Sequence, residues 1–397
     1  MKRTAYAEAA LALALAAVAI HLGWLSRGWP LIHDAPLMHY IAWLIGGGAA
    51  PYRDIFDMNA PGVYLAHLAV FRALGATDAA WRAFDLGWLA ITSLLLALYA
   101  RPFGRGVAAI AALLFAVYHL AGGVWLAGQR DFLLCAFLVA GAALVTPPAG
   151  VGRLVLAGVA AGSGVTLKPP AVLFLLLIAG AAALSATRER RSWRRATLAV
   201  LAGGALMPLA CVAWLAWTGG LVSFATTFGE YVLPLYSRLA RVSPRTALGW
   251  WPFGWQIWTL LALLVAGAST TREWDARRAL ALAGVGYGLV HFLAQGKGWE
   301  YQLYPLAAFA CLSAALALAS PFGAVRWGAM AAVALLALQL HVKGIQETHP
   351  AWIAAEALRV RRIVADLEGR VGPRDTVQVL DTSAGGLHAL FVLRVRQ

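Results

Sequence analysis

Apolar runs of about 17–20 residues recur along this chain from its start to beyond residue 340, each long enough to cross a bilayer core of ~30 Å. In lipid the backbone must satisfy its own hydrogen bonds, so each such run has to be a helix. The runs fall at 5–25, 82–100, 104–121, 131–146, 152–167, 170–186, 196–217, 249–268, 279–295, 301–319 and 324–341. The fold expected is therefore all-α and polytopic, with about eleven transmembrane helices. The composition agrees: 61% of the residues are hydrophobic and only 13% are charged. The start, MKRTAYAEAALALALAAVAIHLGW, has too long an apolar run for a cleaved leader and reads as an uncleaved first helix.

A net charge of +14 raises nucleic acid as a partner. The distribution argues against it, because the cations sit in short connections between spans and no basic patch is interleaved with aromatics. Lys2, Arg3, Arg101, Arg105, Arg153, Arg188, Arg190, Arg191, Arg194, Arg195, Arg272, Arg277, Arg278 and Arg326 all fall on one side, with few acids. That side is expected to be cytoplasmic, with the N-terminus. The heavy use of Ala, Gly and Arg points to a GC-rich bacterial genome, and so to a bacterial inner membrane. Cys135, Cys211 and Cys311 lie inside apolar runs and read as small core residues, with no disulfide or metal spacing.

The opposite, outer side receives the loops that carry chemistry. Residues 26–81 form the first and longest of them, within a membrane part spanning 1–343. Its core, HDAPLMHYIAWLIGGGAAPYRDIFDMNAP, holds Asp34, Asp54 and Asp57, with Arg53 beside them. Residues 34–45 read as a short surface helix starting near Asp34 and stopped by Gly46-Gly47-Gly48. Residues 62–76, with His67 and Arg72 inside, read as an amphipathic interfacial helix entered through Asn59-Ala60-Pro61. Residues 344–397 are a periplasmic segment of mixed α/β character. A helix around EALRVRRIVADLEGRV is followed by a strand at TVQVLD and a turn at TSAGG. Such a segment is too small to fold alone. It either packs on the membrane part or is a domain cut short at Gln397.

Each charged group on the outer side has a plain role and a chemical one. Asp34 caps a surface helix, or acts as a general base at the membrane surface. Arg53, Asp54 and Asp57 tie down a loop, or contact substrate. Arg130 and Asp131 anchor the start of a span, or Arg130 binds a phosphate while Asp131 serves as a second acid. Lys168, ahead of Pro169-Pro170, snorkels, or lines a cavity where two helix ends are broken. Lys297, in GKGWEYQLYP with Tyr301 and Tyr304, is a similar cation on a flexible loop; cations are what a departing phosphate needs. The histidines His33, His39, His67, His119, His291 and His388 lack metal-ligand spacing and read as structural. No P-loop, GxGxxG, HExxH or GxSxG occurs, so any reaction uses a donor that no soluble nucleotide fold handles.

In order along the chain come Asp34 and Tyr40, Gly48, Pro51-Tyr52-Arg53-Asp54 and Pro61-Gly62-Val63-Tyr64. Arg82, Arg130-Asp131, Gly164…Lys168-Pro169 and Lys297…Tyr301…Tyr304-Pro305 follow. This series resembles the GT-C superfamily of polyprenyl-phosphate-sugar-dependent glycosyltransferases, in the family 39-like branch with protein O-mannosyltransferases and the lipid A aminoarabinose transferase. The resemblance covers roughly residues 1–340 and rests on order and shared sidedness. It implies a monosaccharide donor on a polyprenyl phosphate and an acceptor (lipid, polysaccharide or protein) reaching it from the outer side. Asp34 matches the family's first-loop general base, and Asp131 falls where relatives carry a second acid. Lys168 and Lys297 match phosphate-contact positions. No cofactor is called for, and metal assistance is left open. Three positions depart from the pattern. Ala35 stands where a Glu is common, Met58-Asn59-Ala60 where a Lys is common, and Gln302 where a His is common. A transporter or flippase of an amphiphile and a non-catalytic scaffold are the alternatives. A transporter of inverted repeats places its ionisable groups near the midplane, whereas here they sit at span ends.

Overall fold

The computed structural model describes residues 2–146, 149–249, 275–372, 374–381 and 384–397. Nine α-helices occupy the described residues up to 218: α1 (Lys2–Ser26), α2 (Asp34–Gly46), α3 (Pro61–Leu74), α4 (Asp78–Ala100), α5 (Arg105–Ala121), α6 (Arg130–Val145), α7 (Val151–Leu167), α8 (Val172–Arg188) and α9 (Trp193–Thr218). Helices at Ala276–Gln295, Tyr304–Ala317, Gly323–Glu347, Pro350–Leu367 and Gly386–Leu393 follow. Ten of the runs read from the sequence are thus helical, whereas the run at 249–268 lies outside the described residues except for Gly249. Among the described residues, five helical stretches are long and apolar enough to cross a membrane: Thr4–Ser26, Asp78–Phe103, Pro169–Arg188, Trp193–Thr218 and Gly323–Leu367. Shorter apolar helices accompany them.

Local signals set the boundaries. Thr77 and Ser192 cap α4 and α9 by accepting the N–H of Ala80 and of Arg195. Gly219 and Gly296, both left-handed, close α9 and the helix Ala276–Gln295. Close approach decides the packing where residues are small. Gly158 and Gly162 of α7 lie against the backbone of Val200 and Gly204 on α9, leaving no room for a Cβ. At the end expected to be cytoplasmic, Tyr99 donates to the Arg277 carbonyl at 2.7 Å, and Arg277 Nη1 returns a bond to the Tyr99 carbonyl at 3.0 Å.

The expected surface helices are present as α2 and α3, but each is covered on more than one side. α2 buries Met38, His39, Tyr40 and Ile41, and α3 buries Val63, Tyr64, His67 and Val70. Met38, Ile41, Val63, Tyr64 and Val70 join the main core, and the C-terminal segment covers another side of α2. Leu387, Leu390, Phe391 and Val395 form a small apolar core with Tyr40. Tyr40 also donates to the Val395 carbonyl at 3.1 Å, and His388 Nε2 lies 3.1 Å from Asp78 Oδ1.

The α/β reading of this segment is corrected. Among the described residues there is no strand, and the expected strand at TVQVLD reduces to an isolated bridge between Thr376 and Arg396. The physical reason is partnership. Leu380 is 89% exposed, and the apolar stretch that follows forms the helix Gly386–Leu393 and buries its apolar side on α2 rather than pairing as a strand.

Candidate active site

Loops between helices converge at one end of the bundle around a cavity of about 560 Å³. Three strands of sequence supply its polar wall. The turn after α1 delivers His33 and Asp34, because the backbone reaches φ 60° at His33 before α2 begins. The loop before α3 delivers Asp57 and Asn59, and the first turn of α6 delivers Arg130. Tyr301, Trp299 and Glu300 come from the GKGWEYQLYP loop, and Trp125 from the loop between α5 and α6.

Arg130 Nη2 donates to Asp34 Oδ2 at 2.7 Å, joining residues far apart in sequence. Asp34 keeps 29% of its side chain exposed toward the cavity, while Arg130 keeps 10%. Arg130 Nε is buried without a protein acceptor. The Tyr301 ring lies under both cations of this region, 5.8 Å from the Arg130 guanidinium and 5.5 Å from Lys168 Nζ. Both oxygens of Asp57 accept from Asn59 Nδ2, at 3.1 and 2.9 Å, and Oδ2 also accepts from the hydroxyl of Tyr64. Tyr52 in turn donates to the Asn59 carbonyl at 2.5 Å, so the loop is held from both sides.

Of the residues singled out from the sequence, Asp34, Asp57, Arg130 and Tyr301 therefore share one wall. The others do not line it. Asp131 is fully buried beside the wall, with its carboxylate 2.9 Å from Lys168 Nζ and 2.7 Å from His291 Nε2. Lys168 also donates to Gln295 Oε1 at 3.2 Å, and Gln302 donates to the same oxygen at 3.1 Å. Lys297 places its ammonium on the backbone carbonyls of Tyr236 and Leu239, with the Tyr236 ring 4.4 Å away. It thereby closes the end of the π-helix Thr227–Tyr236, whose last residue lines the cavity. The Tyr304 hydroxyl is buried against His119 Nδ1 at 2.7 Å.

Arg53 and Asp54 pair with each other away from the wall, through two bonds of 2.9 and 3.0 Å. The Arg53 guanidinium, helped by the Ala50 N–H, lowers the Asp54 carboxyl from 3.8 to about 2. A depressed carboxylate stabilises the folded loop above the unfolded pKa and loses that contribution as pH falls through the folded value. Any acid limb of activity with a midpoint above about pH 4 therefore belongs to another group. Asp54→Asn is expected to leave such a limb unmoved in a pH–rate profile.

Sequence reading missed a second buried network. Asp85, fully buried, accepts from Arg82, from His119 Nε2 at 3.1 Å and from the Gly128 N–H at 2.6 Å. Arg82 continues to Ser26 Oγ at 2.5 Å and lies over the Trp29 ring. The network fixes the loop that carries Trp125 and leads into Arg130. Gly128 in that loop has φ +66° and packs against the Trp81 indole, so only glycine fits. An Arg and an Asp inside an otherwise apolar span were the available signal, and they fall on one helix face three residues apart.

No protein-family profile and no curated protein matches the sequence. Solved structures do. ArnT from Cupriavidus metallidurans, bound to undecaprenyl phosphate, superposes with a TM-score of 0.68 at 15% identity, covering 96% of this chain and 84% of ArnT. The fold resembles that of GT-C glycosyltransferases. The apo form of the same ArnT superposes with a TM-score of 0.66 at 16% identity and the same coverage. The archaeal oligosaccharyltransferase AglB from Archaeoglobus fulgidus, in complex with an inhibitory peptide and a dolichol-phosphate, gives 0.56 at 14% identity. That match takes in 98% of this chain but 63% of AglB, less than two thirds of its length.

Proposed function

We propose that this protein is a membrane glycosyltransferase of the family 39-like kind. It moves a monosaccharide from a polyprenyl-phosphate donor to an acceptor hydroxyl at the periplasmic face of a bacterial inner membrane. The observation that carries the reading is the Asp34–Arg130 pair, one carboxylate and one guanidinium on the wall of a single cavity, 2.7 Å apart. Displacement at an anomeric carbon creates positive charge on the sugar and negative charge on the leaving phosphate. A carboxylate and a cation held in fixed relation match both changes.

In this reading the acceptor oxygen attacks the anomeric carbon from the side opposite the phosphate, with inversion. Asp34 takes the hydroxyl proton. The bonding pair of the broken C–O bond leaves on the phosphate, where the Arg130 guanidinium meets the charge. Asp57, held by Asn59 and Tyr64, supplies an acceptor for sugar hydroxyls, and Tyr301 closes the wall beneath the cations. Asp131, Lys168 and His291 act as positioning groups that fix the first turn of α6, and Lys297 positions Tyr236. Arg53 and Asp54 brace the loop. About eleven spans, an N-terminus in the cytoplasm and residues 344–397 in the periplasm complete the proposed topology.

The binding half of this reading is tested with undecaprenyl phosphate and undecaprenol on purified protein in nanodiscs. The phosphate form is expected to bind and the alcohol to bind much more weakly. Arg130→Gln is expected to weaken the phosphate form about 10- to 100-fold, the worth of one charged hydrogen bond. Equal binding of the alcohol and the phosphate, unchanged by Arg130→Gln, would remove the phosphate site from this cavity.

A further inference from the structure

Two tryptophans at the mouth of the cavity are not used by the scheme above. Trp125 and Trp299 both line it, and they remain 41% and 39% exposed. Their exposure differs in kind from that of Trp24 and Trp217, which are 64% and 85% exposed and line none of the described cavities. Those two fit the interfacial aromatic belt of a membrane protein. Trp125 is instead fixed as a wall. Trp352 packs on it with ring centroids 5.5 Å apart, and His33 meets it edge-on at 5.1 Å. Trp299 is fixed as well, by the Tyr301 ring at 5.6 Å and by its backbone N–H on Gln302 Oε1 at 3.3 Å.

Hydrogen-bond acceptors share this lining. Glu300 and Glu347 line the same mouth, with Glu300 oriented by an ion pair to Lys343. Gly123, at φ +72° in the loop that leads to Trp125, packs against Glu347 with no room for a Cβ. A flat apolar face beside fixed carboxylates suits one class of molecule. A pyranose ring presents a face of C–H groups that buries well on an indole, and a rim of hydroxyls that donate to carboxylate oxygens. A peptide offers neither feature at every residue, and an acyl chain offers no donors.

We infer that the mouth formed by Trp125, Trp299, Glu300 and Glu347 is a saccharide subsite, and that the acceptor is a glycan rather than a peptide or a simple lipid alcohol. The inference rests on the transferase reading for its role as acceptor, and it deepens that reading by naming the acceptor class. The saccharide stacks at the mouth with one hydroxyl directed inward to Asp34. That hydroxyl loses its proton to Asp34 as its oxygen bonds the donor's anomeric carbon. Volume permits this, because about 560 Å³ exceeds what one sugar ring and a phosphate fill.

The test uses full-length protein in nanodiscs and ligand-observed saturation-transfer NMR. The probes are the methyl glycosides of glucose, galactose and mannose, their disaccharides, and a Ser/Thr-containing hexapeptide. At least one saccharide is expected to give a signal centred on its C–H face, and the peptide none. Trp125→Ala is expected to reduce that signal tenfold or more, while Trp125→Phe retains most of it. Undecaprenyl phosphate binding, read in the same samples, reports on fold and donor side, so loss of donor binding is separable from loss of the saccharide subsite. No signal from any saccharide on protein that binds undecaprenyl phosphate overturns the inference. So does a signal that survives the Trp125→Ala, Trp299→Ala double variant, or a peptide signal that Trp125→Ala removes.

Discussion

Asp34→Asn is expected to lower sugar transfer by a factor of ~10²–10⁴, the usual contribution of a positioned general base. The substitution is close to isosteric. An Asn oxygen still accepts from Arg130 across the 2.7 Å contact, so the cavity wall keeps its shape. What is lost is the capacity to take a proton. The loss is therefore expected in the rate of the chemical step, with undecaprenyl phosphate binding within a few-fold of the wild type. Matched expression and single-turnover transfer with labelled donor would measure it. Full transfer by Asp34→Asn takes Asp34 out of the chemistry and turns attention to Asp57, the other carboxylate of the reading on that wall.

The second large effect concerns stability. Asp131 is fully buried, with Lys168 and His291 as its partners at 2.9 and 2.7 Å. Removing one member of such a pair leaves an uncompensated charge in a low-dielectric interior and costs about 3–5 kcal/mol. Asp131→Leu is expected to cost most, since it strands the Lys168 ammonium beside the Gln295 amide. Lys168→Met is expected to cost less, since His291 still faces the carboxylate. The double variant should recover part of the sum, a coupling of about 0.5–3 kcal/mol in a double-mutant cycle. Thermal unfolding in detergent or nanodiscs reads all three. A Lys168→Met variant as stable as the wild type, and fully additive with Asp131→Leu, would show that the pair does not hold α6 to α7.

Much of the fold was legible because the bilayer makes helices out of apolar runs and leaves the counting to length. The first-loop helices were legible from Gly46-Gly47-Gly48 and Pro61, although their burial was not. The burial of Tyr40 depends on the helix Gly386–Leu393, some 340 residues away, and no local pattern in α2 announces Tyr40 reaching for Val395. The strand at TVQVLD was read from β-propensity, which has no force without a neighbouring strand.

The candidate site divides the same way. Asp34, Asp57, Arg130 and Tyr301 were recognisable as polar groups on loops of one face. Which cation meets which acid was not, because Lys168 and Lys297 look alike in sequence. The fold sends one to a buried aspartate and the other to backbone carbonyls. The histidines, read as structural for want of metal spacing, include His119 and His291, each joined to a buried aspartate from another helix. Such pairs are set by helix packing across 34 and 160 residues, a distance over which spacing rules carry no information.

The central claim is that the cavity transfers sugar from a lipid phosphate. It is tested most directly with a panel of radiolabelled polyprenyl-phosphate monosaccharides in membranes that contain native acceptors and express the wild-type protein. Label from at least one donor is expected to move to a non-lipid-phosphate product, with undecaprenyl phosphate accumulating in equal amount. Donor that binds yet yields neither labelled product nor free undecaprenyl phosphate, across the panel, would contradict it.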